Sequence, residues 1–129
     1  MDIQHFKKYY QKLVVKIYTM KSKFVKIAGD LVDHVNDTGE LSFIFKTKVH
    51  VIIIFYIYGS EKITFENLCK ITKSTVSRTT IQSILLEGVK LGYLKKTIDK
   101  DDRRKKYYSC EFLKPILEKW HNQQQKIFN

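Results

Sequence analysis

The sequence is short of the residues that would commit it to several common classes. It has two cysteines, one proline and five glycines in 129 residues. Two cysteines, Cys69 and Cys110, are too few for a disulfide scaffold or a four-cysteine metal site. They fit a reducing compartment. So little glycine and proline argues against collagen-like and turn-dense all-β architectures. The most apolar run is Val49-His50-Val51-Ile52-Ile53-Ile54-Phe55-Tyr56-Ile57-Tyr58. It is about half of what a bilayer span needs. The N-terminal MDIQHFKKYYQKL is amphipathic and lacks the apolar centre of a signal peptide. Acidic residues are also scarce, with 13 Asp and Glu against 24 Lys and Arg.

What is present narrows the partners. The net charge is +11 and the pI about 9.6. An anionic polymer or an anionic surface is the natural partner of such a chain, and an enzyme for a cationic substrate is not. Hydrophobic residues make up 43%, enough for the core of one domain of this length.

The first segment carries a regular stripe. Ile3, Phe6, Tyr10, Leu13, Ile17, Met20, Phe24, Ile27 and Leu31 alternate spacings of three and four. That is a narrow seam on a long helix, with Lys7, Lys8, Lys12, Lys16, Lys21, Lys23 and Lys26 elsewhere on its surface. Such a seam suits a partner helix better than a broad core, and Gly29 marks a kink or break. Asn36-Asp37-Thr38-Gly39-Glu40 is a turn cluster. Thr47 caps a helix over Lys48 to Tyr58, with Gly59 as its stop. The β-branched Val51 to Ile54 argue for a strand there, but length and flanking residues favour the helix.

The second half is more compact. Thr64 caps a short helix from Phe65 to about Ile71. Lys73 to Ser77 is a turn, and Thr79 or Thr80 opens a longer helix to about Leu91, stopped by Gly92. Its buried side is Ile81, Ile84, Leu85, Gly88 and Leu91. Tyr93 to Ile98 and Lys105 to Cys110 form a hairpin around the charged turn Asp99 to Arg104. Pro115 lies in the first turn of a last helix. Between Lys95 and Lys106 seven cations and three aspartates leave a net charge of +4.

Helix, turn, helix and hairpin in this order is a winged helix-turn-helix. Thr75-Val76-Ser77-Arg78, or Thr79-Thr80-Ile81-Gln82 just after it, looks like the start of a recognition helix. Leu91-Gly92-Tyr93-Leu94-Lys95-Lys96 looks like the junction to a wing. Asp102-Arg103-Arg104 matches the Asp-x-Arg wing signature. On these residues the chain resembles the MarR-type transcriptional regulators over about 47–111. Three departures stand out. The turn between Ile71 and Thr79 is longer than the family's, which leaves the start of the recognition helix open by several residues. Gly88 stands where a Leu fills the family's core, and Cys110-Glu111 replaces the usual Leu-Thr after the wing.

The resemblance implies a mainly α fold with a small β-hairpin wing (α+β) and outer dimerisation helices. It implies a single domain over 1–129, with dimerisation helices in 1–35 and 113–128 and a DNA-binding core in 47–111. The function it implies is sequence-specific regulation by a homodimer on double-stranded DNA, at a pseudo-palindromic site. Ser77, Arg78, Thr79, Thr80, Gln82 and Ser83 would enter the major groove. Arg pairs bidentately with guanine and Gln with adenine, while Ser and Thr hydroxyls more often take phosphates or cap the helix. Lys100, Asp102, Arg103, Arg104, Lys105 and Lys106 would form the wing, with Arg104 in a narrow minor groove and Asp102 holding it as an ion pair. Ile3, Phe6, Tyr10, Leu13, Ile17 and Met20, with Leu117 and Trp120, would form the dimer interface. A small-molecule effector is compatible with the family, though no residue identifies one.

Other residues carry weaker signals. His5, His34, His50 and His121 have no metal-ligand spacing, and His50 reads as a satisfied core histidine. Cys69 reads as core. Cys110, beside many cations, is the better redox candidate. No nucleophile–base pair, phosphate loop or apolar carboxylate pair appears, so neither catalysis nor a cofactor is expected. The competing readings are a winged-helix protein-interaction module and a nonspecific architectural DNA-binding protein. Membrane-surface binding by the first helix is disfavoured, because its stripe is narrower than an interfacial face.

Overall fold

The computed structural model describes residues 3–35, 39–73 and 75–128. The turn residues Asn36, Asp37 and Thr38, as well as Ser74 and the His34 side chain, lie outside the described set. The chain divides into two compact units, Met1–Asn36 with His121–Asn129, and Asp37–Trp120.

In the first unit, α1 (Ile3–Val35) is one continuous helix. Gly29 does not interrupt it. The residues on either side are good enough helix formers to carry one glycine, whose cost is about 1 kcal/mol. The stripe residues Ile3, Phe6, Tyr10, Leu13, Ile17, Met20 and Phe24 are all at least 40% exposed. The Nζ of Lys23 donates to the carbonyl of Phe128 at 2.5 Å, so a cation satisfies an orphan carbonyl at a helix C-terminus.

The second unit contains α2 (Glu40–Ile44), α3 (Lys48–Ser60), β1 (Lys62–Thr64), α4 (Phe65–Ile71), α5 (Arg78–Lys90), β2 (Lys95–Ile98) and β3 (Lys106–Ser109). The last helix, α6 (Lys114–Phe128), begins here, and the boundary between the units falls within it. The three strands form an antiparallel sheet in the order β1-β3-β2, with Ile63 and Lys96 both opposite Tyr108.

The β-branched run 51–54 is helical. Thr47 Oγ1 accepts from the His50 N–H at 3.2 Å, and the helix buries Ile53, Ile54 and Ile57 completely. Gly59 is not its stop. The helix continues to Ser60, and Glu61 ends it with a φ of 63°, its N–H bonded to the Tyr58 carbonyl at 3.3 Å. The core groups these isoleucines with Ile44, Leu68, Ile81, Leu85 and Leu113. Leu117, expected at a dimer interface, is instead 5% exposed within this core. Trp120 packs beside Phe45 and Phe55, with ring centroids 5.1 and 6.0 Å away.

His50 is only half satisfied. Its Nδ1 lies 2.7 Å from Thr47 Oγ1, but among the described residues Nε2 has no hydrogen-bond partner, and it sits 3.8 Å from Glu87 Oε2. Burial holds its pKa below the ordinary histidine value, although Glu87 pulls the other way.

The end of α5 sets the position of the hairpin. Gly92 takes a φ of 80°. The N–H of Tyr93 bonds the Gly88 carbonyl at 2.9 Å, and that of Gly92 bonds the Val89 carbonyl at 3.1 Å. These two bonds are a Schellman reversal. It turns the chain back so that Leu94 fills the space beside Gly88. A Cβ at residue 88 would lie 2.5 Å from Leu94 Cδ1 and 2.6 Å from its Cγ. The leucine that the sequence lacks at position 88 is therefore supplied by Leu94, which is 4% exposed.

Gly88→Ala should lose about 1 kcal/mol of stability, because overpacking outweighs the gain in helix propensity. Urea denaturation would show a lower midpoint with an unchanged slope. An equal or higher midpoint would mean that the Gly88–Leu94 approach imposes no constraint.

Candidate nucleic-acid interface

The turn between α4 and α5 is held by its own hydroxyls. Thr72 Oγ1 donates to the carbonyls of Leu68 and Cys69 at 3.0 and 3.1 Å. Thr75 Oγ1 donates to the Thr72 carbonyl at 2.5 Å. Lys73 turns the chain with a φ of 52°. Ser77 then caps α5, its Oγ accepting from the Thr80 N–H at 3.1 Å and lying 2.7 Å from Thr80 Oγ1. The helix thus opens at Arg78, one to two residues before Thr79 or Thr80. Ser77 wins because its side chain reaches the free N–H three residues on.

This start fixes which residues face outward. Ile81, Ile84 and Leu85 are buried, while Arg78, Thr79, Thr80 and Ser83 are exposed and Gln82 is half-buried. Ser77 and Thr80 are engaged in the cap. Arg78 is engaged too: its guanidinium forks onto Glu66 and lies over the Phe65 ring.

The hairpin tip is built from backbone bonds to aspartate. Asp99 Oδ1 accepts from the Asp101 N–H at 2.9 Å, and Asp102 Oδ1 from the Arg104 N–H at 3.0 Å. The backbone closes with the Asp99 N–H on the Lys105 carbonyl and the Lys105 N–H on the Asp102 carbonyl, both at 3.0 Å. Asp102 therefore shapes the turn through the backbone of Arg104. It does not form the expected ion pair with that guanidinium, because the Asx turn is the shorter reach. Lys100, Arg103, Arg104, Lys105 and Lys106 are exposed, and among the described residues none of them pairs with a carboxylate.

Both elements border one cleft of about 530 Å³, whose remaining wall is Thr64, Phe65, Glu66 and Asn67 at the start of α4. Gln82 of α5 lines it with Lys96, Arg104, Lys105 and Lys106 of the hairpin. Thr79 and Ser83 do not line it, nor do Lys100, Asp102 and Arg103. Such a surface offers a helix for a groove and cations for phosphates. Tyr108 is buried in the core and Tyr107 lies under Lys62, whose Nζ is 4.8 Å from the ring centre.

Sequence reasoning overlooked Lys96, Glu66 and Phe65. The alternation of β2 offered a signal for Lys96. For Glu66, the signal was an acid in the first turn of α4, where a helix-turn-helix brings it near the start of the next helix.

Cys110 is not the redox candidate that its cationic neighbours suggest. It is 4% exposed, and burial, with help from Glu111, pushes its thiol up to about 11. Cys69 is half-buried rather than fully in the core, so near neutral pH iodoacetamide should label it in the native protein and leave Cys110 unmodified until denaturant is added. Mass spectrometry reads this directly, and rapid native labelling of Cys110 would contradict the assignment.

No family model matches the chain, and no curated protein matches it. Solved structures do. The multiple antibiotic resistance repressor MarR superimposes with a TM-score of 0.54 at 17% identity, covering 92% of this chain and 77% of that one. The adhesin competence repressor AdcR from Streptococcus pyogenes aligns with a TM-score of 0.46 at 18% identity, covering 85% of this chain and 78% of its own. The similarity to MarR agrees with the element order found here, and the chain has the MarR-type winged helix-turn-helix fold.

Proposed function

We propose that this protein is a transcription regulator that binds double-stranded DNA as a homodimer. The observation that carries the reading is the shared cleft, where Gln82 of α5 and the start of α4 meet the cations Lys96, Arg104, Lys105 and Lys106 of the hairpin, beside the exposed start of α5. In this reading the outer face of α5, from Arg78 to Ser83, lies in the major groove. The Arg104 side chain enters the adjacent minor groove, and Lys100, Arg103, Lys105 and Lys106 take phosphates. The MarR likeness supports it, since that neighbour is a repressor.

The dimer in this reading forms through α1. Its apolar stripe is exposed in the single chain, and a two-fold pairing of such stripes would cover it. Two recognition helices would then read half-sites about one helical turn apart. Trp120 sits in α6 near the unit boundary and is assigned a supporting place at that interface. The protein acts in the cytoplasm and is not an enzyme. Among the described residues, no helix is long and apolar enough to cross a membrane.

Selection from a randomised duplex library tests this. Enrichment of an inverted repeat is the expected result. Absence of enrichment would leave nonspecific binding, and absence of binding at low salt would point to a protein partner. Arg104→Ala should weaken binding to the enriched duplex by about 1–3 kcal/mol in an anisotropy titration. Unchanged affinity would remove the wing from the interface. Ile17→Asp should sediment as a monomer, because the stripe would have to bury a charge. A dimer that survives this change must be held elsewhere.

A further inference from the structure

Arg78 opens α5, while Phe65 and Glu66 open α4, so their contact ties together the two helices of the motif. The arginine Nη2 donates to Glu66 Oε1 at 2.6 Å and Nη1 donates to Oε2 at 3.2 Å. The guanidinium carbon lies 4.9 Å from the centre of the Phe65 ring. A bidentate, stacked arginine is held far better than an ordinary surface pair. Hydrogen bonding from Arg78 holds the Glu66 carboxyl below the usual carboxylate range, and Lys70 adds to that.

Yet both side chains remain open to solvent, at 61% and 63% exposure. The pair is therefore in reach of anything that docks on the start of α5. A guanidinium has five N–H donors, and this fork uses two of them. The remaining donors are free to meet a base edge. The charge is not free, because the carboxylate largely cancels it for a distant phosphate.

We propose that Glu66 is a positioning residue that sets DNA selectivity by withholding Arg78 from the phosphate backbone and presenting it to a base edge. The proposal rests on reading α5 as a recognition helix. An unrestrained arginine at that place would neutralise a phosphate on any sequence, and phosphate contacts carry no sequence information. Guanine O6 and N7 are acceptors spaced for an arginine held in one orientation. A guanidinium fixed by Glu66 and Phe65 has already lost the side-chain freedom that it would otherwise lose on binding. Among the described residues Lys100, Arg103 and the other wing cations have no such partner, and in this reading they supply the nonspecific attraction.

Four proteins test this: the parent, Glu66→Gln, Arg78→Ala and the double variant. Each is titrated over a range of salt against a mixed-sequence duplex and against the duplex enriched from the random library. Glu66 is exposed, so its replacement should leave the thermal melt near that of the parent. Glu66→Gln is expected to bind the mixed-sequence duplex several-fold more tightly. Its plot of log K against log salt should steepen by about 0.9, the contribution of one further phosphate. The preference for the enriched duplex should narrow. In the Arg78→Ala background the same change should leave the slope as it was. An unchanged slope and preference in Glu66→Gln would overturn the proposal while leaving DNA binding intact. Equal steepening in both backgrounds would also overturn it, since Glu66 would then act on phosphates by its own charge. A parent protein that binds neither duplex at low salt would overturn the DNA reading itself, and this inference with it.

Discussion

The hairpin shares a cleft with α5 because Leu94 turns back onto Gly88. The Schellman reversal needs a left-handed residue at Gly92 and a residue without a side chain at Gly88. With both in place, β2 leaves at the angle that brings Lys96, Arg104, Lys105 and Lys106 of the hairpin beside Gln82. The core depends on the same reversal, since Leu94 takes the volume that a side chain at residue 88 would fill. Phe43 lies just beyond it, 3.2 Å from where that Cβ would be.

The polar surface built on this frame divides into two electrostatic regimes. At the hairpin tip the acids turn inward along the backbone. Asp99 and Asp102 accept from amide N–H groups, so the neighbouring lysines and arginines keep their charge for solvent or ligand. At the start of α5 the opposite holds, and the cation there is matched by a carboxylate on the preceding helix. Unmatched charge attracts any polyanion and weakens with salt. Matched charge adds little to that attraction and more to geometry.

Much of this was legible in the sequence, for identifiable reasons. The caps Thr47 and Thr64 and the stop at Gly92 were readable because each is a local hydrogen bond or a local backbone requirement. The order of helices and hairpin followed from periodicity, and the Asp102-Arg103-Arg104 triplet located the tip. The misreadings concern competition and tertiary neighbours. Ser77, Thr79 and Thr80 are all able to cap, and only the hydroxyl-locked turn before them decides for Ser77. Glu61 rather than Gly59 ends α3, because the sheet begins immediately afterwards at Lys62. Leu117 looked like part of an outer stripe but faces the core. Cys110 looked activated by its basic sequence neighbours, but burial and Glu111 outweigh them. Asp102 looked like a side-chain partner and is a backbone one. The Glu66–Arg78 contact joins residues twelve apart across a turn, and no local rule pairs them.

The central claim is that the outer face of α5 and the hairpin form one DNA-binding surface. The most direct measurement is an amide chemical-shift titration of the labelled protein with a double-stranded oligonucleotide at low salt. Perturbations should concentrate at residues 78–83 and 100–106 and at Lys96, and should collapse as salt is raised. Perturbations confined to the lysine-bearing face of α1, with α5 and the hairpin unmoved, would contradict it.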